Sequence, residues 1–158
     1  MIRVMFVCHG NICRSPMAEM VMKELVRRRG IADRFEIASG ATSTEEIWGG
    51  RGNPIYPPAQ EEMKRRGIPF SQHHAVQIRR SDADYYDLLI GMDSANIRNM
   101  QRILGSGAAG KIRKLLDFTA RGGDVADPWY SGNFAKAYDD IAEGCEGLLR
   151  YLEQEAYL

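Results

Sequence analysis

The stretch IRVMFVCHGNICRSP, residues 2 to 16, joins a short apolar run to a segment holding two cysteines, a glycine, an asparagine, an arginine and a serine. Ile2 to Val7 is apolar apart from Arg3, too short for a helix, and reads as a strand buried on both faces. Beyond the polar segment, Ser15 and Pro16 mark a helix start. Met17, Val21 and Leu25 then recur every four residues until Arg27 to Arg29 and Gly30 close the helix. The unit is strand, loop, helix.

The same alternation continues outward. Phe35 to Ala38 reads as a second strand, followed by a Gly- and Pro-containing loop from Ser39 to Pro58. A helix from about Ala59 to Arg66 stops at Gly67. Leu88 to Met92 is a third strand, Ala95 to Leu104 a helix, and Ile112 to Leu116 a fourth strand. This order predicts an α/β fold, a parallel sheet covered by helices on both faces. Phe134, Tyr138, Ile141, Cys145, Leu148, Leu149 and Leu152 fall at helical spacing, so a long terminal helix packs one face on the sheet. Cys145 lies on that apolar face and reads as a small core residue.

A chain of 158 residues fits one domain, spanning 1–158, with a core that needs no disulfide or metal. Twenty-one basic residues balance twenty-one acidic ones, so no global field points to nucleic acid or an acidic membrane. No apolar run approaches a membrane span, and MIRVMFV is too short for a signal-peptide core; the expected compartment is the cytoplasm. Three cysteines are too few for a disulfide framework, so the reactivity of Cys8 is the better question.

In open parallel sheets, ligands gather at the carboxyl ends of strands, and Cys8 stands at such an end. The loop from His9 to Arg14 can turn successive backbone N–H groups inward, and the following helix adds its positive dipole end. That nest suits a tetrahedral dianion, and the donors that hold phosphate also favour a thiolate. Cys8 is then a nucleophile and Arg14 a planar fork that takes two phosphate oxygens at once. Gly10 permits a positive φ or a close backbone approach, and Asn11 tolerates the left-handed region while its side chain ties the loop. The Ser15 hydroxyl can donate to the Cys8 sulfur. No GKS or GKT follows, which disfavours a nucleotide loop.

Expelling an alcohol or phenol from such a site requires an acid. Asp127 in DVADPWYSG is distinctive, because Pro128 restricts it to extended conformations and Trp129 and Tyr130 can wall a pocket for an aromatic leaving group. Asp127 also fits a turn or capping role ahead of the terminal helix.

Together, VCHGNICRSP near the start and DPWY before the last helix resemble the low-molecular-weight protein tyrosine phosphatases, whose signature is CXGNXCRSP with an acid on a distant DP loop. The likeness covers essentially the whole chain, including ASGATS at Ala38 to Ser43 and GMDSAN at Gly91 to Asn96. It implies a three-layer α/β/α fold with a central four-stranded parallel sheet, and hydrolysis of protein phosphotyrosine or small aryl phosphates without metal or cofactor. The expected partners are a phosphotyrosine protein or aryl phosphate and an oxyanion in the loop, with no nucleic acid, and the expected state is a monomer. Cys8 becomes the nucleophile, Arg14 the phosphate clamp and Asp127 the general acid. Asn11, Ser15 and Ser39 form the network shaping the loop. His74 and Asp93 support it from behind, and His73 is a solvent-facing neighbour. The resemblance also places a second cysteine at Cys13, which either closes a reversible disulfide with Cys8 or serves as a small loop residue facing the pocket.

The rim departs from the family pattern. His9 stands where an apolar residue is common, and Glu45 where an aromatic wall residue is usual. Trp48, in the glycine-rich insertion IWGGRG, is then the candidate replacement wall on a mobile loop. With His9, Gly10, Asn11, Ile12, Cys13, Ser15, Trp129 and Tyr130, it completes the expected substrate contacts. Ile12 separates this reading from a phosphoarginine phosphatase of the same fold, where a smaller polar residue, typically Thr, is expected. An arsenate reductase would need a further cysteine pair, and a silent phosphate-binding module would need neither Cys8 nor Asp127.

Overall fold

Parallel strands buried on both faces dictate the architecture. The computed structural model describes residues 1–155. In chain order it contains β1 (Ile2–Cys8), α1 (Arg14–Arg28), β2 (Phe35–Ala41), β3 (Ile47–Trp48), β4 (Arg51–Gly52) and α2 (Pro57–Arg65). There follow α3 (Asp82–Tyr85), β5 (Leu88–Gly91), α4 (Ser94–Leu104), β6 (Ile112–Lys114), α5 (Pro128–Ser131) and α6 (Phe134–Gln154).

Four strands form one parallel sheet in the order β2-β1-β5-β6. Side chains of β1 alternate between two cores, as strand geometry requires. Val4, Phe6 and Cys8 share one with Met17 and Val21 of α1 and with Ile141 and Leu148 of α6. Met5 and Val7 share the other with Met100 and Leu104 of α4. Phe6, Leu89 and Ile90 are fully buried, and each such side chain contributes about 1.5–3 kcal/mol of transfer free energy. The three-layer α/β/α arrangement follows.

Element boundaries differ from expectation where tertiary contacts override local signals. β2 runs on to Ala41, because Ser39, Gly40 and Ala41 pair with Phe6, Val7 and Cys8. Gly40 is needed there: a Cβ would sit 2.7 Å from Ile78 Cγ2. The fourth strand ends at Lys114, and Leu115–Phe118 turns into a 3₁₀ helix under α6. The expected loop from Ser39 to Pro58 contains the β3–β4 hairpin, and α2 starts at Pro57, with prolines at its first two positions.

The connection after β1 runs to one side of it, to β2, and the later strands lie on the other side. The reversal of strand order opens a crevice at the carboxyl ends of β1 and β5. Cys8 ends β1, and Asp93 follows β5.

Candidate active site

The loop from Cys8 to Arg14 is held open by one residue. Asn11 has φ +59°, the only non-glycine residue with positive φ among those described, and is fully buried. Its amide is saturated: Nδ2 donates to Ser15 Oγ (2.8 Å) and Ser39 Oγ (3.0 Å), while Oδ1 accepts from the Val76 amide (3.1 Å) and faces His73 Nε2 (3.1 Å). A left-handed non-glycine residue costs about 1–3 kcal/mol, and four side-chain hydrogen bonds, two of them fully buried, offset that cost. Gly10 serves by close approach, since a Cβ there would lie 3.3 Å from Glu46 Cγ.

Around the sulfur, the Asn11 amide N–H donates to Cys8 Sγ (3.3 Å), and Ser15 Oγ lies 3.1 Å from it. Because Asn11 Nδ2 already donates to Ser15 Oγ, the hydroxyl hydrogen is left for the sulfur or for the more distant Gly40 carbonyl at 3.5 Å. Ser39 in turn donates to the Glu19 carboxylate, which also meets Lys23 Nζ at 2.6 Å. A buried relay thus runs from the thiol to the surface.

Arg14 starts α1 and is 2% exposed. Its Nη1 donates to Asp93 Oδ2 (2.7 Å) and the Val125 carbonyl (2.8 Å), and its Nη2 lies 3.4 Å from Asp127 Oδ2. Burial alone would lower its pKa, but the Cys8 charge, the Asp93 hydrogen bond and Asp127 outweigh it and raise the value. Asp93 has two tasks: its Oδ1 caps α4 by accepting from the Asn96 amide at 2.7 Å. Asp127 also divides its oxygens. Oδ1 caps α5 by accepting from the Trp129 amide at 3.0 Å, and Oδ2 faces Arg14. The capping reading of Asp127 is therefore met by Oδ1, while Oδ2 is left facing Arg14 at the pocket.

These groups line one pocket, formed by Cys8, His9, Gly10, Ile12, Cys13, Arg14, Glu45, Glu46, Asp127, Trp129 and Tyr130. Asn11 and Ser15 shape it from beneath. Cys8 and Cys13 are both free thiols, and burial first, then the Cys8 charge, pushes the Cys13 pKa up. His9 Nε2 sits 2.9 Å from Glu45 Oε2 at the mouth, so it pairs along the rim. Among the described residues, no group of three or more His, Cys, Asp or Glu side chains is arranged to hold a metal.

Two expectations are corrected. His73, expected to face solvent, is the histidine behind the loop: its Nε2 faces Asn11 Oδ1 and the Asn11 carbonyl, two acceptors that make it an N–H donor. Burial is the main force lowering its pKa. His74 points outward and meets the Gly52 carbonyl through Nδ1 (3.0 Å). Trp48 is 75% exposed and is not among the pocket-lining residues. Ile47 packs inward on Ile12, Cys13 and Ala75, so the next side chain along the strand faces out. Glu45 and Glu46 supply that wall. Glu19 and Glu46 were not foreseen as part of this region; the Ser15-to-Glu19 spacing of one helical turn was the available signal for Glu19.

A thiol at the floor of an anion cradle, closed by a buried arginine and faced by a carboxyl group, is the constellation of cysteine-dependent phosphomonoesterases. Residues 3–157 match the family model for low molecular weight phosphotyrosine protein phosphatase, and the chain belongs to that family. It is similar to the low molecular weight protein-tyrosine-phosphatase YfkJ of Bacillus subtilis, 38% identical over 160 residues and the full length of both chains. The crystal structure of YfkJ superimposes with a TM-score of 0.92 at 37% identity, covering 98% of this chain and 96% of that one. PtpA of Staphylococcus aureus is 33% identical over all of this chain and 98% of its own.

Proposed function

We propose that the protein hydrolyses phosphotyrosine in proteins through a cysteinyl-phosphate intermediate. The observation that carries this is the convergence of Cys8, Arg14 and Asp127 on one pocket. The Cys8 thiolate attacks phosphorus, the bond from phosphorus to the tyrosyl oxygen breaks, and Asp127 gives its proton to the departing phenolate. Asp127, now a carboxylate, takes a proton from water as the water oxygen attacks phosphorus. The S–P bond then breaks, releasing inorganic phosphate and the thiolate. Arg14, fixed by Asp93 and Val125, clamps the equatorial oxygens, and the backbone of His9 to Cys13 supplies the remaining donors. Ile12, Trp129 and Tyr130 offer apolar and aromatic surface to the tyrosyl ring.

Cys8→Ser should abolish turnover of aryl phosphates while inorganic phosphate still binds; turnover equal to the parent protein would end this reading. Asp127→Ala should slow esters with poor leaving groups most.

Cys13 fits the role of resolving thiol. Peroxide oxidises Cys8 to a sulfenic acid with release of water, and the Cys13 sulfur then displaces hydroxide to give a disulfide and a second water. Mass spectrometry after peroxide should find that bridge, with activity restored by dithiothreitol; overoxidised Cys8 alone would count against it. No helix among the described residues is long and apolar enough to cross a membrane, and free thiols suit the cytoplasm as the working compartment.

A further inference from the structure

Tyr56 occupies the N-cap of α2, a position where Ser, Thr, Asp or Asn supplies a side-chain acceptor. Here no side-chain cap is made. The ring instead packs against Trp129 of α5, with centroids 4.8 Å apart and planes at 50°, and against Phe134 of α6 at 6.0 Å. The backbone N–H of the same residue donates to the Ile12 carbonyl at 2.9 Å. That bond holds an Ile12 carbonyl of the phosphate loop from outside. Tyr56 therefore touches both halves of the proposed chemistry: the phosphate loop through its backbone and the acid-bearing segment through its ring.

The acid segment needs such an anchor. α5 is a single turn of four residues, too short to hold itself in place. It is bounded by Gly122 and Gly123 on one side and Gly132 on the other, all at positive φ. Upstream, the Val125 amide bonds the Met92 carbonyl at 2.9 Å and its carbonyl accepts from Arg14. Downstream, Trp129 is half exposed and rests on Tyr56. The Trp129 amide is the donor that fixes Asp127 Oδ1. Moving Trp129 would therefore disturb the hydrogen bond that orients the Asp127 carboxyl group.

We propose that Tyr56 is a positioning residue for the general acid, acting through Trp129 to aim Asp127; the inference rests on the acid role assigned above. Its signature lies in the leaving-group dependence of kcat/KM, which reports formation of the phosphoenzyme. Good leaving groups need little protonation and poor ones need much.

The experiment measures kcat/KM for aryl phosphates from p-nitrophenyl to phenyl phosphate in Tyr56→Ala, Tyr56→Phe and Asp127→Ala, with inhibition by inorganic phosphate as the probe of the loop. Tyr56→Ala should lose about tenfold or more on phenyl phosphate and less than about threefold on p-nitrophenyl phosphate. Phosphate inhibition should hold, and Tyr56→Phe should restore the parent behaviour. In the Asp127→Ala background, Tyr56→Ala should add less than about twofold. Tyr56→Leu, which keeps apolar volume, repeats the measurement if Tyr56→Ala does not fold. If Asp127→Ala steepens the dependence and Tyr56→Ala does not, the proposal for Tyr56 falls alone. An equal loss on every ester with weakened phosphate inhibition overturns it too. If Asp127→Ala leaves the dependence unchanged, the acid assignment and this proposal fall together.

Discussion

At the scale of single residues, Asn11 decides whether a phosphate loop exists, and His73 is one of four groups that satisfy it. A buried amide with two donors and two acceptor sites has no slack, so withdrawing His73 leaves its oxygen with the Val76 amide alone in a low-dielectric setting. His73→Ala should lower stability by about 1–2 kcal/mol in urea titration and reduce kcat/KM about tenfold through a loosened loop, whereas His74→Ala should stay within about 0.5 kcal/mol. Equal effects of the two variants would return the loop-supporting role to neither. Cys8, Arg14 and Asp127, the proposed nucleophile, clamp and acid, were legible in the sequence because their types and spacing are tied to one chemistry. Which of two adjacent histidines turns inward was not, since it is set by a strand-like segment whose parity depends on Ala75. Ala75 packs on Ile12 and Cys13, and in extended chain the residue two before it shares its side. Trp48 fails by the same rule: its neighbour Ile47 takes the inward position.

At the scale of elements, the four main strands and the long helices were readable because each buries a periodic or continuous apolar pattern. The β3–β4 hairpin was not, as two-residue strands carry no period. Its signal was the Gly49-Gly50 pair, both at positive φ (57° and 76°), the requirement of a tight hairpin turn. The sequence also withholds why α6 contains glycines. Intrinsic propensity alone predicts that alanine at an interior helical glycine gains about 1 kcal/mol. A Cβ at Gly147, however, would collide with the Phe118 carbonyl, and one at Gly144 with Leu115, both in the 3₁₀ turn beneath α6. Backbone gives less readily than a leucine side chain. Gly147→Ala should therefore cost about 1–3 kcal/mol by overpacking, lowering the thermal midpoint by several degrees, and Gly144→Ala should cost less. A raised midpoint for Gly147→Ala would show that helix propensity wins and that α6 rides clear of the turn.

At the scale of the whole molecule, a balanced net charge hides buried carboxylates that each lean on one or two cations. Glu19 meets Lys23 and Ser39 beside His73, Glu62 lies between Arg65 and Arg66, and Asp140 meets Arg121 and Lys136. Glu24 is held by Arg27 (2.6 and 2.7 Å) and Arg28 (2.8 Å). The hydrogen bond from Arg27, helped by Arg28, lowers its pKa from the ordinary 4.5 to about 2. Between those values the unfolded chain binds a proton that the folded one does not, so stability rises with pH. The Glu24 contribution is fully present above about 4.5 and is lost as the pH falls towards 2. His73 acts in a separate, higher window. Burial holds its pKa below the ordinary 6.5, so the unfolded chain takes up that proton first and stability falls as the pH drops under 6.5. Thermal midpoints measured from pH 7.5 to 2 should therefore decline in two stages. Glu24→Gln should start lower at neutral pH, keep the decline below 6.5, and flatten the stage between 4.5 and 2, so that its curve converges on the parent curve near pH 2. Curves that stay parallel through that lower window would show that Glu24 does not carry the acid lability.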